Sequence, residues 1–220
     1  MLRTPGMRTY DTLLGFAAGV MTAIATFGLV HEALNQGGTL EAVLGVATGA
    51  ASLFLLDRFL PHEHRGIPTA CVNPIAYRRA LLLFTALFLH NVPEGLAVGT
   101  SYTAAPRLGI LLAAAIALHN IPEGMAVAGP FRACGLSRWQ SLAWAVGSGL
   151  SEPLAAVLGA LSVSLVEPLL PISLAFAGGA MLYVVSDELI PESHSHGFEH
   201  QATFGFILGF VLLLLLMRAM

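Results

Sequence analysis

The chain has 220 residues, of which 56% are hydrophobic and 10% charged, with mean hydropathy +0.77 and formal net charge −3. A soluble globular domain carries about 25% charged residues, so this composition excludes one and indicates a polytopic membrane protein. Its ten basic residues are all arginines scattered along the chain, which leaves no electrostatic footprint for a nucleic acid.

A helix needs about 20 mostly apolar residues to cross roughly 30 Å of hydrocarbon. Seven runs meet that requirement, at 12–30, 40–56, 80–102, 108–128, 139–166, 172–189 and 203–217. The connections are short, so residues 1–220 are expected to form a single all-α membrane domain, a bundle of about seven spans. The first run lacks a small-residue cleavage site followed by polar sequence, so it reads as a span and not as a secretory signal.

In chain order, Arg3 and Arg8 precede the first span, Arg58, Arg65, Arg78 and Arg79 lie between the second and third, and Arg132 and Arg138 between the fourth and fifth. With alternating spans these eight share one side, leaving Arg107 and Arg218 on the other. The excess of positive charge on cytoplasmic loops then places the N-terminus in the cytoplasm and the C-terminus outside. Cys71 and Cys134, the only cysteines, fall on the reducing side and are expected to remain thiols.

The third span carries "HNVPEGLAVG" from His90, the fourth carries "HNIPEGMAVAG" from His119, and the fifth carries "GSGLSEPLAAVLG" with Glu152 before a proline. On a helix, His90 and Glu94 are stacked four residues apart, about 6 Å along the axis, and Asn91 borders the same face. Pro93 removes its own amide donor and frees the carbonyl of Leu89, a defect that membranes tolerate only inside protein or beside a watery cavity. His119, Asn120, Pro122 and Glu123 repeat the geometry, with Leu118 supplying the freed carbonyl.

An ionised side chain at the bilayer centre costs about 2.5–3.5 kcal/mol, so three unpaired glutamates would cost roughly 8–10 kcal/mol. No arginine lies inside these spans beside them, which leaves protonation or a bound cation to compensate. Two His, two Asn and three Glu suit a divalent ion that accepts nitrogen and oxygen donors, such as Zn²⁺, Fe²⁺, Mn²⁺ or Cd²⁺. The two matched ligand sets suggest neighbouring ions bridged by Glu94 and Glu123. Interhelical hydrogen bonding is the simpler reading of one polar residue in a span, but it does not require a carboxylate in each of three successive helices.

These motifs, together with "LLGFAAGVMTA" and "AFAGGAMLYVVSDELIPESHSHG", resemble the ZIP (Zrt/Irt-like) divalent metal transporter family, most of all its bacterial GufA-type branch. The resemblance implies a transporter and not an enzyme, in a bacterial inner membrane, moving metal toward the cytoplasm with no organic cofactor. It implies a metal site of His90, Asn91, Glu94, His119, Asn120, Glu123 and Glu152, with Met21 a soft neighbour. "LLGFAAGVM" matches the family's second helix, so only "MLRTPGMRTYD" stands where its first is expected. In the family that first helix belongs to a mobile, metal-carrying bundle with the helices matching the third, fourth and fifth here.

Other polar features carry weaker readings. His62 and His64 of "PHEH", and His194, His196 and His200 of "ESHSHGFEH", offer H-x-H spacing in loops that would hold an emerging metal. Asp187 and Glu188 sit at the end of the sixth span, at the expected inner mouth. The small residues of "GFAAGV", "GVATGAAS" and "AFAGGA" permit close helix approach within the chain or in a homodimer. Two alternatives share some of these features. An intramembrane metal-dependent hydrolase would gather His and Glu at mid-depth, but the H-E-x-x-H arrangement is missing. A proton-coupled carrier of organic solutes could use the carboxylates, but gives no reason for the paired His and Asn.

Overall fold

The computed structural model describes residues 6–59 and 74–218; the "PHEH" histidines, Arg3, Arg65 and Cys71 lie outside them. Long apolar stretches with few breakers fold as helices because in lipid every backbone group must find its partner within the segment. The helices are α1 (Met7–Gln36), α2 (Thr39–Phe59), α3 (Pro74–Ala104), α4 (Pro106–Cys134), α5 (Arg138–Gly149), α6 (Ser151–Leu165), α7 (Leu170–Ser193) and α8 (Glu199–Arg218). Counting α5 and α6 as one broken span, seven helices among the described residues are long and apolar enough to cross a membrane.

Local chemistry sets the boundaries. α4 starts with Pro106 in its first turn, where a missing N–H costs nothing, and stops at Gly135, whose φ of 112° favours glycine. α5 opens with a reciprocal cap between Ser137 and Gln140. Single π-helical turns interrupt α1 at Ile24–Val30 and α7 at Val185–Leu189.

Pro93 and Pro122 both sit inside unbroken helices, whereas the fifth span breaks at Leu150, just before Glu152 and Pro153. The difference follows from position. Pro153 falls in the first turn of α6, where proline is tolerated, and Gly147 and Gly149 weaken the helix that precedes it.

The helices form two groups. α1 packs on α8 and α2 on α7, while α3 packs on α4 and α6 and α5 packs on α4; the groups meet where α3 packs on α7 and α1 on α4. An added β-carbon at Gly15 or Gly19 would overlap the backbone of Ala202 or Phe206, and one at Gly205 or Gly209 would overlap that of Thr12 or Phe16. The small-residue stretches are therefore used within the chain: "GFAAGV" against α8, and "GVATGAAS" against "AFAGGA" through Gly45, Gly49 and Gly179. Such close approach maximises dispersion where lipid removes the hydrophobic driving force between helices.

Cys134 is buried and disulfide-bonded, which corrects the expectation of a thiol there. That expectation rested on loop charge alone, and loop charge says nothing about which side chains meet.

Candidate metal centre

α3 and α4 lie side by side, and each presents one histidine and one glutamate, four residues apart, at the middle of its span. Within a helix the His90 Nε2 to Glu94 Oε1 separation is 3.6 Å, and His119 Nε2 to Glu123 Oε1 is 3.7 Å. Across the helices His119 Nε2 lies 2.8 Å from Glu94 Oε1, and His90 Nε2 lies 3.5 Å from Glu123 Oε1. Each carboxylate thus faces both imidazoles. Only the 2.8 Å contact is a good hydrogen bond. The longer separations approach the roughly 3.3 Å between two donors on one tetrahedral ion with bonds near 2.0–2.1 Å.

His90, Glu94, His119 and Glu123 are at most 4% exposed, and many of their polar atoms lack partners. His90 Nδ1 and Nε2, Glu94 Oε2, His119 Nδ1 and Glu123 Oε1 are buried without a hydrogen bond among the described residues. An unsatisfied buried polar atom costs about 1–3 kcal/mol, more if charged, so this concentration at one spot indicates a site built for a guest. Donor atoms of His90, Glu94 and Glu123 all lie within 4.8 Å of one another, close enough to share an ion.

The asparagines face the other way, toward the broken span. Asn91 Nδ2 donates to the Ser148 carbonyl at 2.9 Å, near the end of α5. A carbonyl can only accept, so this contact fixes the amide orientation and leaves Asn91 Oδ1 buried and free. Asn120 Nδ2 donates to Glu152 Oε2 at 2.7 Å, again leaving Oδ1 free. The structure therefore places His90 and His119 on one side of the two central carboxylates, and Asn91, Asn120 and Glu152 on the side of α5 and α6.

Ser148 and Ser151 escaped the sequence reading. Ser151 Oγ donates to the Phe88 carbonyl at 2.6 Å, tying the first turn of α6 to α3 one residue before Glu152. The break leaves carbonyls at the end of α5 without helical partners, and Asn91 uses one of them. The available signal was the run of small and polar residues in "GSGLSEP".

Met21 is fully buried in an apolar cluster that also contains Leu112 and Ile116 of α4. The loop histidines separate. His194 is held by the Ile190 carbonyl and Thr203, while His196 reaches back to Asp11 on α1. Asp187 is exposed and Glu188 half-buried on the π-helical turn of α7.

Fold and centre together define a polytopic helical membrane protein with histidines and carboxylates gathered at mid-depth. The family model described as ZIP Zinc transporter matches residues 74–217. The zinc transporter GufA of Myxococcus xanthus is 47% identical over 178 residues, covering 80% of this chain and 70% of that protein. The zinc transporter ZIPB of Bordetella bronchiseptica is 42% identical over 231 aligned positions, 100% of this chain and 74% of that protein. Human zinc transporter ZIP11 is 45% identical over 298 positions, 94% of this chain and 87% of that protein. The chain belongs to the ZIP zinc transporter family, whose members are transporters and not enzymes, and the hydrolase reading is set aside.

Proposed function

We propose that this protein carries divalent transition-metal ions, Zn²⁺ foremost, through a two-ion centre at His90, Asn91, Glu94, His119, Asn120, Glu123 and Glu152. The observation that carries the reading is the box of unpartnered nitrogen and oxygen atoms from His90, Glu94, His119 and Glu123 at mid-depth. One ion takes the two histidines, the other takes Asn91 Oδ1, Asn120 Oδ1 and Glu152, and Glu94 and Glu123 bridge them. The mixed nitrogen and oxygen donors also suit Fe²⁺, Mn²⁺ and Cd²⁺.

Two features support transport and not static storage. The centre lies wholly on α3, α4 and α6, and no glycine-mediated backbone contact among the described residues ties this group tightly to α1, α2, α7 and α8. In this reading the group carrying the ions slides as a unit against the other, exposing the centre to either side. Uptake toward the cytoplasm, across a bacterial inner membrane, is what the family resemblance implies, and it agrees with the cytoplasmic N-terminus that the arginine bias gives.

Purified protein at neutral pH is expected to hold close to two divalent ions tightly per chain. Affinity falls on acidification, because imidazole and carboxylate must be deprotonated to coordinate. Equilibrium dialysis with elemental analysis measures this. No tightly bound ion, or an unchanged stoichiometry in Glu94→Ala/Glu123→Ala, would falsify the centre.

A further inference from the structure

Asp11, near the start of α1, is fully buried, yet only one of its oxygens is satisfied. Its Oδ1 lies 2.9 Å from His196 Nδ1, across 185 residues of chain, and its Oδ2 has no hydrogen-bond partner among the described residues. A buried carboxylate is costly unless it is hydrogen-bonded, and here the imidazole N–H supplies that bond to Oδ1. His196 comes from the loop between α7 and α8, and its ring stands edge-on to Tyr10, with centroids 5.7 Å apart. Because a carboxylate only accepts, the proton sits on Nδ1, and a neutral ring presents a bare Nε2. That atom is 3.9 Å from Glu192 Oε1, while Ser195 Oγ lies beside the ring edge, 3.2 Å from Nδ1 and 3.5 Å from Nε2.

We propose that His196 Nε2 and Glu192 form a second divalent-metal site at this mouth of the bundle, with Asp11 as the buried carboxylate that orients the imidazole. A carboxylate holding the far nitrogen of a ligating histidine sets its tautomer and strengthens it as a donor, a recurring outer partner of zinc-binding imidazoles. The pair needs to close by roughly half an ångström to share an ion with bonds near 2.0–2.1 Å. With two protein ligands and the remaining positions open to water, the site holds metal loosely, as a relay between pathway and solvent requires. The H-x-H spacing thereby acquires a division of labour: His194 pins the loop to α8 through Thr203, and His196 is left to bind. The relay role rests on the transport reading above; the binding site does not.

Zinc titration of the Glu94→Ala/Glu123→Ala protein reads this site with the central one removed. We expect one residual ion, weaker than those at the centre. His196→Ala and Glu192→Gln should each abolish it, and Asp11→Asn should weaken it about 10- to 100-fold. The same substitutions in the otherwise unaltered chain should leave the central ions bound, which shows the fold intact. Should Asp11→Asn fail to fold, His196→Ala and Glu192→Gln decide alone, since both side chains are partly exposed. No residual ion, or one whose affinity is unchanged by His196→Ala and Glu192→Gln, overturns the proposal. If the double variant instead keeps its central ions, the central assignment fails, and loss of one further ion on His196→Ala still supports this site.

Discussion

The two copies of H-N-x-P-E-G share their letters and their helical geometry but not their surroundings. In α3 the motif's glycine, Gly95, is pressed against the backbone of Glu152, and the Asn91 amide is bound to a backbone carbonyl. In α4 the matching Gly124 has, among the described residues, only the Ala145 methyl nearby, at 4.0 Å from an added β-carbon, and the Asn120 amide is bound to a carboxylate. Leu118 and Ile121 around the second copy are 50% and 62% exposed, whereas Leu89 and Val92 around the first are only partly exposed. The first copy is thus locked into the packing of α3 on α6, and the second stands at an edge. Equivalent residues in a repeat share their chemistry, but their tolerance to change depends on the neighbours each copy meets.

The largest effects should ignore this difference, because the central glutamates are symmetric. Each lies within 3.7 Å of both imidazoles. Glu94→Ala and Glu123→Ala are each expected to reduce radiometal uptake in proteoliposomes to background, since in the proposed two-ion centre either strips a ligand from both ions. Glu152→Ala should release one ion and slow uptake without abolishing it. Retention of two ions by Glu94→Ala while Glu152→Ala loses both would reverse the assignment of bridge and side ligand.

The glycines should separate the copies clearly. Gly95→Ala forces a methyl group into the Glu152 backbone and should destabilise the protein by about 1–3 kcal/mol or more, with loss of the Asn120 and Glu152 side of the centre. Gly124→Ala meets open space and gains helix propensity, so it should be neutral or stabilising by up to about 1 kcal/mol. Thermal melting in detergent measures both. Equal shifts would show that α6 is not held against α3 as described.

The asparagines offer the finest distinction. Asn91→Asp sets a carboxylate oxygen against the Ser148 carbonyl and loses a hydrogen bond, so metal affinity should fall by about tenfold. Asn120→Asp places a second carboxylate beside Glu152, a pair that repels when empty and attracts a cation when filled. It should therefore lower the stability of the metal-free protein but hold or raise zinc affinity in calorimetric titration. A matched loss in both variants would mean that the two amides do the same job.

The composition and the seven apolar runs determined the all-α membrane bundle, because lipid leaves helices or closed barrels as the only ways to satisfy a spanning backbone. The spacing of His90 with Glu94 and of His119 with Glu123 placed each pair on one helical face, and the carboxylates in three successive spans pointed to a cation. Local spacing cannot say which faces meet. Only the packing of α3 on α4 set each glutamate between both histidines, and only the break before Glu152 turned the Ser148 carbonyl toward Asn91. The meeting of Asp11 with His196 depends on the same kind of long-range contact. The three mid-span prolines take different places, one in the first turn after a break that Gly147 and Gly149 favour and two inside unbroken helices.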